Sequence, residues 1–470
     1  MISKIISTPV FKEILRFSPT KIISIIVGIL SFKSYTEFFS TEEYGLYNLI
    51  ISTFSLITVC LTEWIGYVLI RYFEKHKQEG TLNEFLSTIL TVLVLILIAV
   101  FIVGIFVLLI LLNASVLFLL AFLTLPLTMI ISLLTKYYQL DQQVNRYNLL
   151  NISGSLGVFV LFYLIYKFTD LRLSSVFLSA LIINVGILRL AFLDFREKRL
   201  RFHINKGLLI QYLRYGLPLI GTGIGIVLLS STSRYFIQYF KGSDAVGVFS
   251  AAFKIGELSI FLPLSIFTSI FEPFVFRELE LNGKESAYAS ILKYKILYIL
   301  FFGPVSIVFF IFPELPMILL GKNFESSLPI IPIVCLGNFI FGYAQFLSLY
   351  SQIEFKPIVI TVGIISSALL NIILNYFLIP SFGIFGAAYS ILISYLFYII
   401  IINITLKVKS IPYYSFLSLG ITALVFYKLF YLLPITGSTI WVKISLGFSI
   451  WLFLSFLMFF TKKLKTSNKL

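Results

Sequence analysis

The feature that most constrains this chain is a series of apolar runs, each about 20 residues long, separated by short polar segments. An α-helix of that length crosses a hydrocarbon layer about 30 Å thick. Soluble domains carry about 25% charged residues, whereas this chain carries 12% and has a mean hydropathy of +1.01. Barrel strands would instead alternate polar and apolar residues over about 10 positions. The sequence therefore predicts an all-α polytopic membrane protein.

The apolar runs predict about fourteen transmembrane helices, and the first run has no signal-peptide cleavage site. They leave little of the chain for a domain outside the membrane. The predicted spans are 19–38, 45–71, 86–112, 114–136, 148–168, 174–194, 208–240, 245–276, 289–312, 328–350, 357–379, 383–406, 412–433 and 441–461.

Lysine and arginine are distributed unequally between the two sides that these spans define. The side that holds the N-terminus carries more of them by about five to one, which is typical of cytoplasmic loops. Lys136 and Lys295 are counted on this side, and Arg214 flanks the cytoplasmic end of its span and is assigned to topology. We therefore predict a multi-pass protein of the cytoplasmic (inner) membrane with both termini cytoplasmic. This topology accounts for most of the net charge of +15, so no nucleic acid partner is needed to explain it.

An internal repeat relates the two halves of the chain. Gly45 and Gly247 occupy matching positions after the first and seventh spans, and Tyr137–Asp141 aligns with Tyr350–Glu354 after the fourth and tenth. Six spans return a chain to the same side, so the halves form a parallel repeat, which places a substrate path at their interface. The predicted domains are an N-terminal lobe of helices 1–6 (1–206), a C-terminal lobe of helices 7–12 (207–407) and two extra helices (408–470).

Ionisable residues interrupt several of the predicted spans. They include Lys33, Glu63, Arg234, Lys254 and Glu257. An ionised group at membrane depth costs about 2.5–3.5 kcal/mol on insertion scales, and such groups usually face a partner or a water-filled cavity. These residues are therefore the first candidates for a functional role.

Three stretches of the sequence resemble a known family. They are Ser40–Tyr47 after the first span, Ser233–Arg234 with Ala245–Lys254 in the seventh and eighth spans, and Asn371–Asn375 with Leu378–Ala388 in the eleventh and twelfth. Together they resemble the polysaccharide-transporter, or Wzx-type, branch of the multidrug/oligosaccharidyl-lipid/polysaccharide (MOP) flippase superfamily. The resemblance implies a MATE-like V-shaped bundle of two six-helix lobes, and a cargo of polyprenyl-pyrophosphate-linked oligosaccharide. Ser233 stands where family members often have an acidic residue.

A pyrophosphate cargo requires cations in a wet cavity. Arg234, Lys254 and Lys33 are the candidate substrate-binding residues, and Lys33 and Arg234 are nearly equivalent under the repeat. An arginine offers a bidentate fork and a lysine a point charge. The alternative for Lys33 is an ion pair with Glu37, and for Lys254 an ion pair with Glu257, each on its own helix.

Carboxylates and glycines within the spans supply candidates for coupling and motion. Glu63 and Glu257 are candidate coupling residues, with proton or sodium as the coupling ion, although Glu63 can instead bind a basic residue on another helix. Gly221, Gly223 and Gly225 are candidate hinge residues, and close helix packing is the alternative. The sequence offers no catalytic constellation, metal cluster or cofactor motif.

The predicted function is a flippase that moves a lipid-linked O-antigen, capsule or exopolysaccharide repeat unit from the cytoplasmic to the outer leaflet by alternating access. Its expected partners are this cargo, membrane lipids and other polysaccharide assembly proteins. A multidrug exporter of the same fold is the first alternative, but it would favour an acidic cavity. A membrane polysaccharide polymerase is a weaker alternative, because the predicted loops are short and carry no acidic metal motif.

Overall fold

The computed structural model describes residues 9–110, 115–196, 202, 204–312 and 315–406. The predicted spans 412–433 and 441–461, and with them the predicted third domain at 408–470, lie outside these residues. All regular structure in the described part is helical, which confirms the predicted all-α class.

The described helices follow one another with short connections. They are α1 (Pro9–Phe38), α2 (Thr41–Gln78), α3 (Leu82–Ile110), α4 (Val116–Leu140), α5 (Val144–Phe168), α6 (Ser174–Arg196), α7 (Lys206–Lys241), α8 (243–282), α9 (284–311), α10 (Ile331–Ile353), α11 (Ile358–Phe382) and α12 (Ile384–Leu406), with 3-10 turns at Leu315–Ile318 and Lys322–Ile330.

Local backbone features break up several of these helices. The turns at Val59–Glu63 in α2, Ser153–Gly157 in α5 and Glu257–Phe261 in α8 are π-helical, and π turns occur often at functional sites. Gly283, with φ 80°, separates α8 from α9. In the described residues, ten helical stretches are long and apolar enough to span a membrane, with α8 and α9 counted as one and α1 left out. The number fourteen stays a prediction.

The chain divides into two compact units, Met1–Gly247 and Val248–Leu470. In unit 1, α7 packs against α2, where Gly216 lies against Trp64 and Val68. The predicted lobe boundary between residues 206 and 207 rests on the sequence repeat and stays a prediction.

Burial distinguishes central helices from peripheral ones. In the most apolar stretch of α10 and its preceding 3-10 turn, 83% of the residues are buried, so this helix forms the centre of unit 2. In α3 of unit 1 only 6% is buried, and Ile98, Ile102 and Phe106 are exposed. An apolar helix that exposes most of its side chains fits a lipid environment, where its backbone hydrogen bonds are satisfied internally.

The turn that follows α1 is fixed by a capping box. The Ser40 hydroxyl accepts from the Glu43 amide at 3.1 Å, and the Glu43 carboxylate accepts from the Ser40 amide at 3.0 Å. The two bonds satisfy donors that a helix start otherwise leaves open. The Ser-Thr-Glu-Glu sequence therefore sets where α2 begins.

The two aligned segments at the ends of α4 and α10 form the same turn. Asp141 and Glu354 follow the last residues of these helices. The next residues, Gln142 and Phe355, have φ values of 55° and 56°. Each turn thus reverses the chain through one left-handed residue, and each places a carboxylate at the helix end.

Each of these carboxylates is bound by a lysine. Asp141 accepts from Lys77 at 2.9 Å and Glu354 from Lys284 at 3.3 Å, and Tyr288 also donates to Glu354. Burial raises the pKa of Asp141, but hydrogen bonds from Lys77 and two neighbours hold it below its ordinary value. The hydrogen bond from Tyr288, followed by that from Lys284, lowers the pKa of Glu354. Both carboxylates are therefore ionised anchors at neutral pH.

Candidate functional site

The turns after α1 and α7 meet within unit 1 in a reciprocal contact. A Cβ atom on Gly45 would overlap the carbonyl oxygen of Ser243, and one on Gly247 would overlap the carbonyl oxygen of Thr41. The Thr41 hydroxyl donates to the Asp244 carboxylate. Only glycine allows the two backbones to approach this closely. The two glycines that mark the predicted repeat therefore lie at one close backbone contact.

Lys33 lies near the end of α1, one turn before Glu37. Its ammonium nitrogen is 3.8 Å from the Glu37 carboxylate, and each side chain is 47% exposed. At that distance and exposure the pair contributes about 0.3–0.5 kcal/mol. Lys33 can therefore exchange Glu37 for another anion at little cost.

Arg234 lies in the second half of α7 and is buried, with 9% of its surface exposed. Its guanidinium donates to the backbone carbonyl of Ser230 on the preceding turn at 2.7 Å. The neighbouring Ser233 is also fully buried.

Lys254 and Glu257 lie at the junction where α8 enters its π turn. They form an ion pair at 2.8 Å, with 41% and 37% of their side chains exposed. The structure thus contains the internal pair that the spacing of the two residues allowed. Because both groups are accessible, an anionic ligand can still reach Lys254.

Glu63 ends the π turn of α2 and is bound across the bundle. The Lys136 ammonium on α4 donates to its carboxylate at 2.5 Å and lies 5.9 Å from the centre of the Tyr67 ring. Gly66 leaves the space that this ammonium occupies. Lys136, which the sequence placed among the cytoplasmic topology charges, is therefore the partner of Glu63 on another helix. This arrangement is one of the two alternatives that the sequence left open.

The three candidate hinge glycines lie in one continuous helix, α7. Gly223 packs against α2, where an added Cβ would lie 2.9 Å from a methyl group of Val59, and Gly225 is buried as well. Gly221 is partly exposed. These contacts fit close packing, and the hinge role stays a prediction.

Sequence reasoning missed two basic sites. Lys295, counted from sequence as a cytoplasmic charge, is 1% exposed in unit 2, and its ammonium lies 5.1 Å and 5.4 Å from the ring centres of Tyr343 and Tyr350. Such cation–π contacts stabilise a desolvated ammonium. The two tyrosines lie seven residues apart on α10, a spacing that was visible in the sequence, but only the fold brings α9 beside them.

The second missed site is an open cavity of about 410 Å³ at the start of α7 in unit 1. Exposed Arg214 lines it with Gln211 and the rings of Tyr72 and Tyr215, which lie 5.7 Å apart. A cavity lined by a guanidinium, an amide and aromatic rings can bind an anionic head group. The sequence had given Arg214 only a role in topology.

The reciprocal glycine contact predicts a defined cross-link. With the native cysteines removed, Thr41→Cys and Asp244→Cys together should form a disulfide, because their side chains already touch. Adding Gly247→Val should abolish it by forcing the backbones apart, whereas Gly28→Val should not, because a Cβ there meets nothing within 4 Å. Gel mobility under non-reducing conditions measures the outcome. An unchanged cross-link in the Gly247→Val background would show that the glycine contact does not determine the distance between positions 41 and 244.

The Glu63–Lys136 pair predicts non-additive stability effects. Glu63→Gln and Lys136→Met should each lower the free energy of unfolding by about 1–3 kcal/mol, since each leaves a partly buried charge uncompensated. The double variant should lose less free energy of unfolding than the two single variants lose together, with a difference of about 1 kcal/mol or more. The exposed pair Lys75–Glu79, at 3.8 Å, is the control and should couple weakly. Additive effects at Glu63 and Lys136, measured by unfolding in detergent, would leave Glu63 available as a coupling carboxylate.

Comparison with known structures identifies the fold. The lipid II flippase MurJ, in an inward closed conformation, matches with a TM-score of 0.72 at 15% identity, over 94% of this chain and 98% of that chain. An inward-facing multidrug resistance MATE transporter of the MOP superfamily matches with a TM-score of 0.55 at 16% identity, over 85% and 100%. The Vibrio cholerae MATE transporter VcmN matches with a TM-score of 0.53 at 12% identity, over 85% and 98%. The predicted MATE-like fold is confirmed.

Sequence comparison identifies the family. No curated protein sequence matches the chain. The family model described as polysaccharide biosynthesis protein matches residues 11–277, which is more than half of the chain. The resemblance seen in the sequence motifs is therefore confirmed: this multi-pass membrane protein has the MOP-superfamily fold and belongs to the polysaccharide biosynthesis protein family.

Proposed function

We propose that this protein is a flippase, not an enzyme, and that it moves a polyprenyl-pyrophosphate-linked oligosaccharide from the cytoplasmic to the outer leaflet of the inner membrane. The observation that carries this proposal is the family match over residues 11–277. Polysaccharide synthesis on a lipid carrier needs a step that transfers the polar head group across the bilayer. A protein made of apolar helices with charged groups at membrane depth is suited to that step. Both termini are proposed to be cytoplasmic.

The charges within the helices favour an anionic cargo. We propose that Lys33, Arg234 and Lys254 bind the pyrophosphate during transfer. The pairs Lys33–Glu37 and Lys254–Glu257 are accessible, so a phosphate can compete for either ammonium. In the same proposal, Arg214 and its flanking tyrosines meet the cargo at the cytoplasmic side. Polysaccharide assembly proteins would deliver the cargo and take it up.

Coupling to an ion gradient would reset the carrier. Glu63 and Glu257 remain the proposed coupling residues, with proton or sodium as the ion. Each is neutralised by a lysine in this conformation. Coupling therefore requires that the lysine be released in another conformation.

A multidrug exporter is the second candidate. The similarity in fold to multidrug MATE transporters favours it, but that similarity concerns the fold alone. An exporter of cationic compounds would be expected to expose acidic rather than basic groups along its path. The two functions make different predictions for the lipids of the host.

Deletion of the gene in its host tests the proposal. Lipid-linked oligosaccharide should accumulate and the surface polymer should disappear, as measured by mass spectrometry of the lipid fraction. Arg234→Ala and Lys254→Ala should fail to restore the polymer at normal protein levels, whereas Lys75→Ala, which removes an exposed lysine, should restore it fully.

The other outcomes point to other functions. Failure to form the complete lipid-linked unit would indicate an assembly enzyme. Unchanged lipids and polymer, together with increased drug sensitivity, would indicate an exporter. Full activity of both alanine variants would refute the role of the cations while leaving the flippase function in place.

A further inference from the structure

Two helices of unit 2 present matching polar stripes to one cavity. On α8 and on α10 the polar residues recur with the same spacing of three and then four positions, and the cavity between them has a volume of about 250 Å³. The stripes are Ser265, Thr268 and Glu272 on α8, and Gln345, Ser348 and Gln352 on α10. The spacing places each set on one helix face.

This face of α10 does not fit a lipid environment. Gln345 and Gln352 are exposed, while nearly all other residues of this helix are buried. Exposed amide groups are costly in hydrocarbon, where no water satisfies them. The helix that forms the centre of unit 2 therefore opens to a polar, water-accessible space at these two positions.

The polar groups of the stripes remain available for a ligand. In the described part of the chain, the side chains of Glu272, Gln345 and Gln352 form no hydrogen bond or ion pair. The hydroxyls of Ser265 and Thr268 donate to carbonyls of their own helix, which leaves their oxygens free to accept. The cavity thus offers a carboxylate, two amides and hydroxyl acceptors.

Aromatic rings form the other walls. Phe271 and Tyr294 pack with ring centres 4.2 Å apart, and Phe261 and Phe346 also line the cavity. A sugar ring has hydroxyls at its edge and C–H groups on its faces. Carboxylate and amide groups can bind the hydroxyls, while aromatic faces pack against the C–H groups. This combination of groups is complementary to a carbohydrate.

We propose that this cavity binds a sugar residue of the lipid-linked oligosaccharide, an inference that rests on the proposed flippase function. Glu272, Gln345 and Gln352 bind sugar hydroxyls, and the cavity contributes to selection of the glycan. Gln352 lies one residue before the end of α10, on the side predicted to be cytoplasmic. The sugar is therefore bound where the cargo is loaded.

The shape of the cavity favours a sugar over a metal ion. Seven residues of helix extend about 10 Å, so the polar groups are spread over the length of a sugar ring or two. A hard cation draws its oxygen ligands to about 2.5 Å. Among the described residues no group of three or more acidic, histidine or cysteine side chains could hold a metal, and Glu272 is the one carboxylate that lines this cavity.

Binding measurements on the full-length protein in lipid nanodiscs test the proposal. The probes are the polyprenyl-pyrophosphate-linked oligosaccharide extracted from the deletion strain and the same carrier after removal of its sugars. Glu272→Ala, Gln345→Ala and Gln352→Ala should each weaken binding of the glycosylated carrier by about tenfold. They should leave binding of the sugar-free carrier unchanged. Gln78→Ala is the matched control, because Gln78 is exposed and bonds only Glu74 on its own helix turn.

Each alternative result has a distinct meaning. Unchanged binding of the glycosylated carrier by all three variants would refute the sugar site but leave the flippase function intact. Equal weakening for both carriers would also refute it, since the residues would then act on the lipid or on folding. A change only in sodium or proton dependence would identify an ion site instead. Failure of the wild-type protein to bind either carrier would refute the flippase function itself.

Discussion

The structure depends on how it neutralises charge at membrane depth. An isolated ion there costs several kcal/mol, and three charged side chains that interrupt apolar helices in the described residues show how the structure reduces this cost. Lys254 pairs with Glu257 on its own helix, Glu63 pairs with Lys136 on another, and Arg234 donates to a carbonyl of the preceding turn. The Lys254–Glu257 pair is local to one helix, so Lys254 can change its partner without unfolding that helix.

The proposed transport of an anionic lipid requires cations that can change partner in this way. A cation held permanently by a deeply buried partner would stabilise the fold but could not bind a substrate. Lys33 and Lys254 are held by accessible carboxylates, so a pyrophosphate can replace the carboxylate. The contact between Gly45 and Gly247 is of a different kind. The two backbones touch directly there, so neither position has room for a side chain.

Much of the fold was predictable because its signals are local. Apolar runs of sufficient length located the helices, and the three- and four-residue spacings of Lys254–Glu257 and Lys33–Glu37 indicated the pairs that the structure contains. The match between Asp141 and Glu354 identified two turns that share their backbone conformation. The two ion pairs each lie within about one helical turn, so residue spacing alone predicts them.

The rest required the fold. Glu63 and Lys136 lie on helices that only tertiary packing brings together, and Lys295 was placed in a cytoplasmic segment because nothing near it in sequence marks its burial between tyrosines. The polar stripes of α8 and α10 are each too sparse to stand out against an apolar background. Only when the helices pack side by side do Glu272 and Gln352 line the same cavity.

The most direct test of the central claim is translocation by the purified protein in liposomes. The lipid-linked oligosaccharide starts in the inner leaflet, and a glycosidase added outside cleaves the molecules that reach the outer leaflet. Cleavage should be faster in liposomes that contain the wild-type protein than in protein-free liposomes. Liposomes containing the Arg234→Ala or Lys254→Ala protein should match the protein-free rate. Exposure by the wild-type protein that is no faster than in protein-free liposomes, under an imposed proton or sodium gradient and with the protein correctly folded, would contradict the account.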